Sequence, residues 1–316
     1  MTQLRKIRDR PLLTEIHTSG FRPESPSAYL FAISEEHRSK EFLAWRHDFQ
    51  GVESVEIVDQ KESDIVVNLR GEKETILLRS KEQLEVFCAK IGRDLMYLDI
   101  TGLSHHVWAP LLRAALKICR VVRVVYVEPI EYRFSTAPTD SEIFDLSERI
   151  NGLAPLPGFA RLAGSDDGNA CFIPLLGFEG TRLSYAIDQV QPPGKRIVPI
   201  VGVPGFQPEF PFHAYLGNKS ALLETRAWPF VRFAIANCPF SLFYQLEEIS
   251  AEYDDGLLQI APIGTKPHAL GAVMFTLSSN RSIELIYDHP KRKAQRTEGS
   301  ARLLVYGVSS FLRDSN

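Results

Sequence analysis

The stretch from Leu257 to Pro290 reads LLQIAPIGTKPHALGAVMFTLSSNRSIELIYDHP and decides how the rest of the chain is interpreted. An apolar run ends in a polar loop at Gly264, a helix-like segment follows, and a second apolar run closes the unit. Short continuous apolar runs on either side of a helical segment are typical of buried parallel strands. The stretch therefore predicts a strand, a loop, a helix and a second strand of an α/β protein.

The same plan occurs earlier, from Leu95 to Pro129, in the sequence LMYLDITGLSHHVWAPLLRAALKICRVVRVVYVEP. Gly102 and His106 have the same spacing there as Gly264 and His268 in the later stretch. This correspondence predicts an α/β fold of two Rossmann-like halves with mainly parallel sheets. A pseudo-twofold relation between the halves is the packing that such a repeat suggests.

Clusters of proline and glycine divide the chain. The predicted segments are an N-terminal arm at 1–27, a first Rossmann-like half at 28–135, a connection at 136–168 and a second half at 169–316. We expect a short helix from Ser141 to Asn151 within the connection. A second helical pattern runs from Leu222 to Ala236.

The composition excludes several classes of protein. The net charge is −3 over 316 residues, which gives no general signature of nucleic-acid binding. The basic run from Lys291 to Arg296 is interpreted as a solvated surface rather than a nucleic-acid patch. No apolar run approaches the roughly 20 residues that cross a bilayer, so we expect no membrane partner.

The four cysteines stand far apart in apolar contexts and show no metal-ligand spacing: Cys88, Cys119, Cys171 and Cys238. Buried free thiols of a reducing cytosol are the simplest interpretation. His105 and His106 have no further ligands at metal spacing. We therefore expect a cytoplasmic protein without a metal or other cofactor.

Polar loops at predicted strand ends are the best candidates for a site, because ligands of open α/β sheets bind outside the carboxyl ends of the strands. The loop from Ile263 to His268 is the strongest candidate. Gly264 allows a close turn, Thr265 offers a hydroxyl and Lys266 a positive charge. Backbone N–H groups at the start of the following helix favour an anion. The alternative is a tight turn with a helix cap and an exposed lysine.

His106 and His268 occupy equivalent positions in the proposed repeat and would face one central pocket if the halves pack with pseudo-twofold symmetry. Histidine can donate to a phosphate or act as an acid or base near neutral pH. The alternative is that each histidine caps its helix or packs under a loop. Asp99, with Thr101 and Gly102 after it, ends a strand, where a carboxylate holds a ribose hydroxyl or caps a turn.

Glu179 and Arg182 open the loop after the first strand of the second half. Arg182 has the guanidinium fork that binds phosphate with two hydrogen bonds. A local ion pair between the two residues is the alternative. The chain contains neither a Walker loop nor a GxGxxG fingerprint, and no GxSxG elbow accompanies Asp288 and His289.

Two motifs resemble CRISPR-associated Rossmann-fold (CARF) sensor domains: Asp99-Ile100-Thr101-Gly102 and Gly264-Thr265-Lys266. In that family a strand ends in an Asp-x-Thr-Gly-Gly-Thr-Lys type of loop at a pocket for cyclic oligonucleotides. Here the motif is split between the halves, and the similarity covers about a dozen residues. The resemblance implies paired Rossmann-like modules within one chain and a role in antiviral defence.

The sequence thus favours a cytosolic sensor that binds a nucleotide-like or other phosphate-bearing molecule. The predicted ligand-binding residues are Asp99, Thr101, Gly102, His106, Glu179, Arg182, Gly264, Thr265, Lys266 and His268. One alternative is an enzyme acting on a nucleotide or phosphoester, with His106 or His268 as acid or base and Lys266 stabilising negative charge. Another is a subunit of a larger complex, which docks a protein partner through the aromatic segment from Phe206 to Tyr215.

Overall fold

Two large sheets of mixed strand direction, with helices packed on them, form the framework of the protein. A computed structural model describes residues 13–18, 20–45, 50–139, 142–161 and 169–313. The first twelve residues of the predicted N-terminal arm and residues 162–168 of the predicted connection lie outside this described part.

The elements up to residue 155 are β1 (Thr14–His17), β2 (Ser27–Phe31), α1 (Glu41–Trp45), β3 (Val52–Gln60), β4 (Asp64–Leu69), β5 (Glu72–Leu77), α2 (Lys81–Ile91), β6 (Leu95–Asp99), α3 (His105–Ile118), β7 (Val121–Val127), β8 (Glu131–Tyr132), β9 (Phe134–Thr139), β10 (Glu142–Phe144), β11 (Ser147–Ile150) and β12 (Ala154–Pro155). The later elements are β13 (Cys171–Leu175), α4 (Gly180–Val190), β14 (Ile200–Gly202), α5 (Phe210–Glu224), β15 (Arg232–Ala234), α6 (Pro239–Glu252), β16 (Leu258–Pro262), α7 (Lys266–Ser278), β17 (Ile283–Tyr287), β18 (Pro290–Arg292), β19 (Thr297–Glu298), β20 (Leu303–Tyr306) and α8 (Val308–Arg313).

Both repeated stretches form the predicted elements. The earlier stretch gives β6, α3 and β7, and the later one gives β16, α7 and β17. In each case the two strands are parallel neighbours in their sheet. The predicted strand, loop, helix and strand units are therefore confirmed.

The sheets are less uniformly parallel than predicted. The first sheet has the order β1-β20-β7-β6-β2-β3-β4-β5, and only β7, β6, β2 and β3 run parallel to one another. On one side, the hairpin at Gly71, whose φ is +87°, reverses the chain between β4 and β5. On the other side, the C-terminal strand β20 pairs antiparallel with both β7 and β1.

The second sheet has the order β12-β17-β16-β13-β14-β15, and only β12 at its edge is antiparallel. The predicted boundaries assign β20 to the second half and β1 to the arm, whereas both strands lie in the first sheet. The chain therefore returns to its first sheet after completing the second.

Two helix predictions are wrong. Where a helix was expected from Ser141 to Asn151, the described residues form β10 and β11, which pair with β9 and β18. The helical pattern from Leu222 to Ala236 ends early, because α5 stops at Glu224 and the chain turns through a left-handed Arg226 with φ of +57°. Pairing with neighbouring strands overrides local helical preference in both places.

One continuous cluster of buried apolar side chains joins the sheets and includes residues of β6, α3, α7 and β16. Trp108 of α3 lies within it and is fully buried. All four cysteines are free, and Cys88, Cys119 and Cys171 are buried. Within the described part of the chain, no helix has both the length and the apolar character to cross a membrane.

Candidate functional site

The carboxyl ends of strands from both sheets open into one cleft of about 440 Å³. Ser34 follows β2 in its wall and Thr101 follows β6, both from the first sheet. Gly264 follows β16 and His289 follows β17, both from the second sheet. A volume of this size lies within the range of small-molecule sites, and the strand ends are where such sites form in parallel sheets.

The cleft is electropositive. Its wall contains three glutamates, Glu35, Glu36 and Glu62, and six basic side chains, Arg38, Lys61, Lys266, Arg292, Lys293 and Arg296. The helices α3 and α7 both begin at this wall, and neither has an acidic residue in its first turn. The positive ends of two helix dipoles therefore add to the excess of cationic side chains.

Lys266 joins the two halves of the cleft. Its Nζ donates to the backbone carbonyls of Ile100, Thr101 and Leu103, each at 2.7 Å. Three acceptors match the three donors of an ammonium group. Burial, and after it the charges of Arg38 and Arg296, nevertheless hold the pKa of Lys266 well below its usual value. An anion beside Lys266 would relieve that electrostatic cost.

The loop before α7 is a capped, close turn. The hydroxyl of Thr265 accepts from the backbone N–H of His268 and donates to the carbonyl of Ala236 at 2.8 Å. A Cβ on Gly264 would lie 2.4 Å from the carbonyl oxygen of Leu176. Gly264, Thr265 and Lys266 all line the cleft, so three predicted ligand-binding residues lie together there.

The loop after β6 contributes mainly backbone. Asp99 is buried and accepts from the backbone N–H of Thr101 at 2.8 Å and from the hydroxyl of Tyr29 at 2.9 Å. Burial raises the pKa of Asp99 despite these hydrogen bonds. A Cβ on Gly102 would meet the carbonyl oxygen of Ala32 at 1.9 Å. Thr101 and Gly102 line the cleft, while Asp99 acts as the turn-capping carboxylate behind them.

His106 lies in the cleft wall, where its Nε2 contacts the carbonyl oxygen of Lys61 at 3.1 Å. Its ring centroid is 5.6 Å from that of His289. Burial is the main cause that lowers the pKa of both imidazoles. The structure thus brings together His106 and His289, rather than His106 and His268.

His268 is fully buried, and its Nε2 contacts the carbonyl oxygen of Ile235 at 3.1 Å. Its Cε1 lies 3.6 Å from the position that a Cβ on Gly202 would take. The neighbouring Thr265 and Lys266 reach the cleft, but His268 points beneath the loops of the second sheet and is not part of the cleft wall. Burial lowers its pKa to about 4.

Glu179 and Arg182 belong to a buried hydrogen-bonding network beside the cleft. Arg182 donates two hydrogen bonds of 2.6 Å to Asp288 and one of 2.7 Å to the carbonyl of Ile263. Glu179 accepts from the backbone N–H of Leu146 at 3.0 Å. The contact between Glu179 and Arg182 is longer, at 3.8 Å. The guanidinium fork of Arg182 is therefore already occupied by a protein carboxylate.

A smaller cavity of about 70 Å³ adjoins the cleft and shares Arg292, Arg296, Tyr132, Gly264 and Thr265 with it. The aromatic segment from Phe206 to Tyr215, considered as a docking surface for a protein partner, is partly buried and partly exposed. Phe206 and Phe210 line the small cavity, whereas Phe212 is 68% exposed.

Sequence reasoning missed several residues of the cleft. His105 is buried in its wall and stacks on Tyr287, with ring centroids 4.7 Å apart. Its Nε2 has no hydrogen-bond partner within the described structure. The basic residues Arg292, Lys293 and Arg296 also line the cleft, although the run was assigned to solvent. The position of these residues just after the second repeat unit could have indicated that they lie at the cleft. The run was assigned to solvent because a short basic run in a chain of negative net charge is usually a solvated surface.

Models of known protein families give no match to the chain, and neither does any curated protein. No group of three or more His, Cys, Asp or Glu side chains in the described ranges is arranged to hold a metal ion. The basic side chains and strand ends that line the cleft are therefore the observations that indicate what it can bind.

Proposed function

We propose that the protein is a sensor that binds a nucleotide-like or other phosphate-bearing molecule in the cleft between its two sheets. The single observation that supports this most is the excess of basic over acidic side chains at the meeting point of strand ends from both sheets. Backbone N–H groups at a helix start lack partners within the helix and bind oxyanions. The start of α3 lies at this cleft without a side-chain cap, whereas at the start of α7 Pro267 has no N–H and Thr265 already caps the N–H of His268.

The repeat units supply a structural reason for one shared ligand. In our proposal β6-α3-β7 and β16-α7-β17 are the cores of two Rossmann-like halves related by a pseudo-twofold axis, and the cleft lies between them. The Lys266 ammonium and the first turn of α3 would then flank the same molecule. The resemblance to CARF sensors extends this proposal to a cyclic oligonucleotide ligand and a role in antiviral defence.

An enzymatic alternative has one specific observation in its favour. His106 and His289 lie in the electropositive cleft with ring centroids 5.6 Å apart, so that one imidazole could accept a proton while the other donates one. This arrangement replaces the His106 and His268 pair considered from the sequence. Turnover of a bound nucleotide would favour the enzyme, and binding without turnover would favour the sensor.

The experiment starts with mass spectrometry of small molecules released from natively purified protein. Binding is then measured at pH 8 with a panel of mononucleotides and cyclic oligonucleotides, by the rise in unfolding temperature. A ligand at about 100 times its Kd adds about 2.7 kcal/mol to the unfolding free energy. Chromatography of the same mixtures after incubation detects turnover.

Matched variants place the binding in the cleft. Lys61 and Lys293 both line it, and their side chains are 60% and 39% exposed, so the double variant Lys61→Gln/Lys293→Gln should fold normally. We expect it to bind about threefold to tenfold more weakly, since each exposed cation contributes well under 1 to about 1 kcal/mol. The variant Lys73→Gln/Lys195→Gln removes the same charge from exposed positions outside the cleft. Equal affinity of both variants, or no bound molecule and no response to the panel, would refute the proposal.

A further inference from the structure

His105 is a buried polar side chain of the cleft with an unused hydrogen-bonding atom. Only 4% of its surface is exposed, and its Nε2 has no hydrogen-bond partner among the residues that the structure describes. A buried polar atom without a partner costs free energy. The imidazole is nevertheless held firmly, because its ring stacks on Tyr287 and lies 5.6 Å from the ring of Trp108.

Its surroundings suit an anion and do not suit a second cation. His105 is the first residue of α3, where Ser104 occupies the N-cap position without making a side-chain cap hydrogen bond. The charged groups that act on His105 are Lys266 of α7, Arg292 of β18, Arg182 of α4 and the neighbouring His106. Arg182 is neutralised by Asp288 and Arg292 pairs with Glu179 at 3.1 Å, whereas Lys266 donates only to neutral carbonyls.

We infer that one oxyanion of the phosphate or sulfate type binds against His105 at the start of α3, between Lys266 and Arg292, and that its binding brings a proton onto His105. The inference rests on the proposed function, since it assigns the position of the ligand's charged group. Without the anion, protonation of His105 adds a buried positive charge beside two others. With the anion, the same proton completes a charge-assisted hydrogen bond from Nε2.

Inorganic sulfate is the probe, because its double charge stays constant between pH 6 and 8. Its binding is measured by titration calorimetry in two buffers that differ in ionisation enthalpy, which counts the protons taken up, with chloride at equal ionic strength as the reference. We expect proton uptake at pH 7, limited to one proton, and an affinity that rises as the pH falls from 8 to 6 by up to about tenfold per pH unit.

Variants assign the proton to one residue. In His105→Asn the dependence of sulfate affinity on pH should disappear, whereas His106→Asn, which removes the adjacent imidazole of the same cleft, should keep it. The proton count of the unmodified protein stands even if His105→Asn folds poorly. Sulfate binding without proton uptake, absence of sulfate binding at pH 6, or loss of the pH dependence in His106→Asn would each overturn the inference.

These outcomes are separable from those of the nucleotide panel, which is run at pH 8. Nucleotide binding at pH 8 together with proton-free sulfate binding would refute the role of His105 and leave the proposed function intact. Proton-coupled sulfate binding without any response to nucleotides would refute the proposed function and leave the role of His105 intact.

Discussion

Replacing His268 should change how stability depends on pH. In the folded protein burial lowers the pKa of His268 to about 4, whereas an unfolded chain titrates its histidines near 6.5. Between these two values the unfolded state binds more protons than the folded state, so the free energy of unfolding decreases as the pH falls. The stability that the neutral imidazole contributes is fully present above pH 6.5 and is lost as the pH approaches 4.

The size of the effect follows from the two pKa values. A difference of about 2.5 pKa units corresponds to about 3 kcal/mol when the titration is complete. Between pH 7.5 and pH 5 the same two values give a loss of about 2 kcal/mol. The variant His268→Gln lacks this titration, although it forfeits part of the contact with Ile235, at a cost of about 1 kcal/mol.

Urea unfolding of both proteins at pH 7.5 and pH 5 provides the assay. Other buried histidines also titrate in this range, and the difference between wild type and variant removes their contribution. We expect the stability advantage of the wild type to shrink by about 2 kcal/mol on going from pH 7.5 to pH 5. His37→Gln, which removes an exposed imidazole, serves as the control. An advantage that stays constant within about 0.5 kcal/mol would refute the assignment of His268 to the core.

Two further predictions concern the network around the cleft. Lys266→Met removes three hydrogen bonds to backbone carbonyls and should lower the free energy of unfolding by about 2 kcal/mol or more, while Lys195→Met at an exposed position should change it little. Asp288→Ala removes the bidentate partner of the buried Arg182 and leaves it only the longer carboxylate contact, with Glu179, which should cost about 3 to 5 kcal/mol. Asp255→Ala breaks an exposed ion pair and should change the free energy of unfolding little. Urea unfolding at pH 7.5 measures all four variants, and equal losses within either matched pair would contradict the expected roles.

The repeat units could be predicted because their signal is local. In the stretch from Leu95 to Pro129 and in that from Leu257 to Pro290, continuous apolar runs flank a helix of regular length, and each run is long enough for one buried strand. The ends of α2 show equally local chemistry, with Ser80 as its N-cap and Gly92 in the left-handed conformation after it.

The order of strands in the first sheet could not be predicted by such means. The strand β20 pairs with β7, which lies far before it in the chain, and an apolar run gives no information about a distant partner. The helix predicted from Ser141 to Asn151 shows the same limit in part, since the described residues form β10, which pairs with the adjacent β9, and β11, which pairs with the distant β18. Local preference decides an element only where no distant strand competes for its backbone.

The residues of the candidate site were likewise predicted where the signal was local and missed where it depended on distant contacts. The loop glycines and Thr265 were identified because turn and cap chemistry is written in adjacent residues. The equivalence of His106 and His268 in the repeat predicted one pocket for both, yet Ile235 and Gly202 enclose His268 from other elements of the second sheet. Arg182 was read as a phosphate ligand because Asp288, its partner, stands far along the chain.

The basic run from Lys291 to Arg296 shows that the role of a charged residue can be inferred only when its ion-pair partners are known. Its cations pair with carboxylates of other elements, namely Lys291 with Glu148, Arg292 with Glu179, Lys293 with Asp145 and Arg296 with Glu36. These ion pairs position the basic side chains at the cleft before any ligand is present. Because Glu36 itself lines the cleft, the phosphate of the proposed ligand would have to compete with it for Arg296. Affinity would then depend on the difference between two charge-assisted contacts, so each paired cation should contribute less than an unpaired cation would.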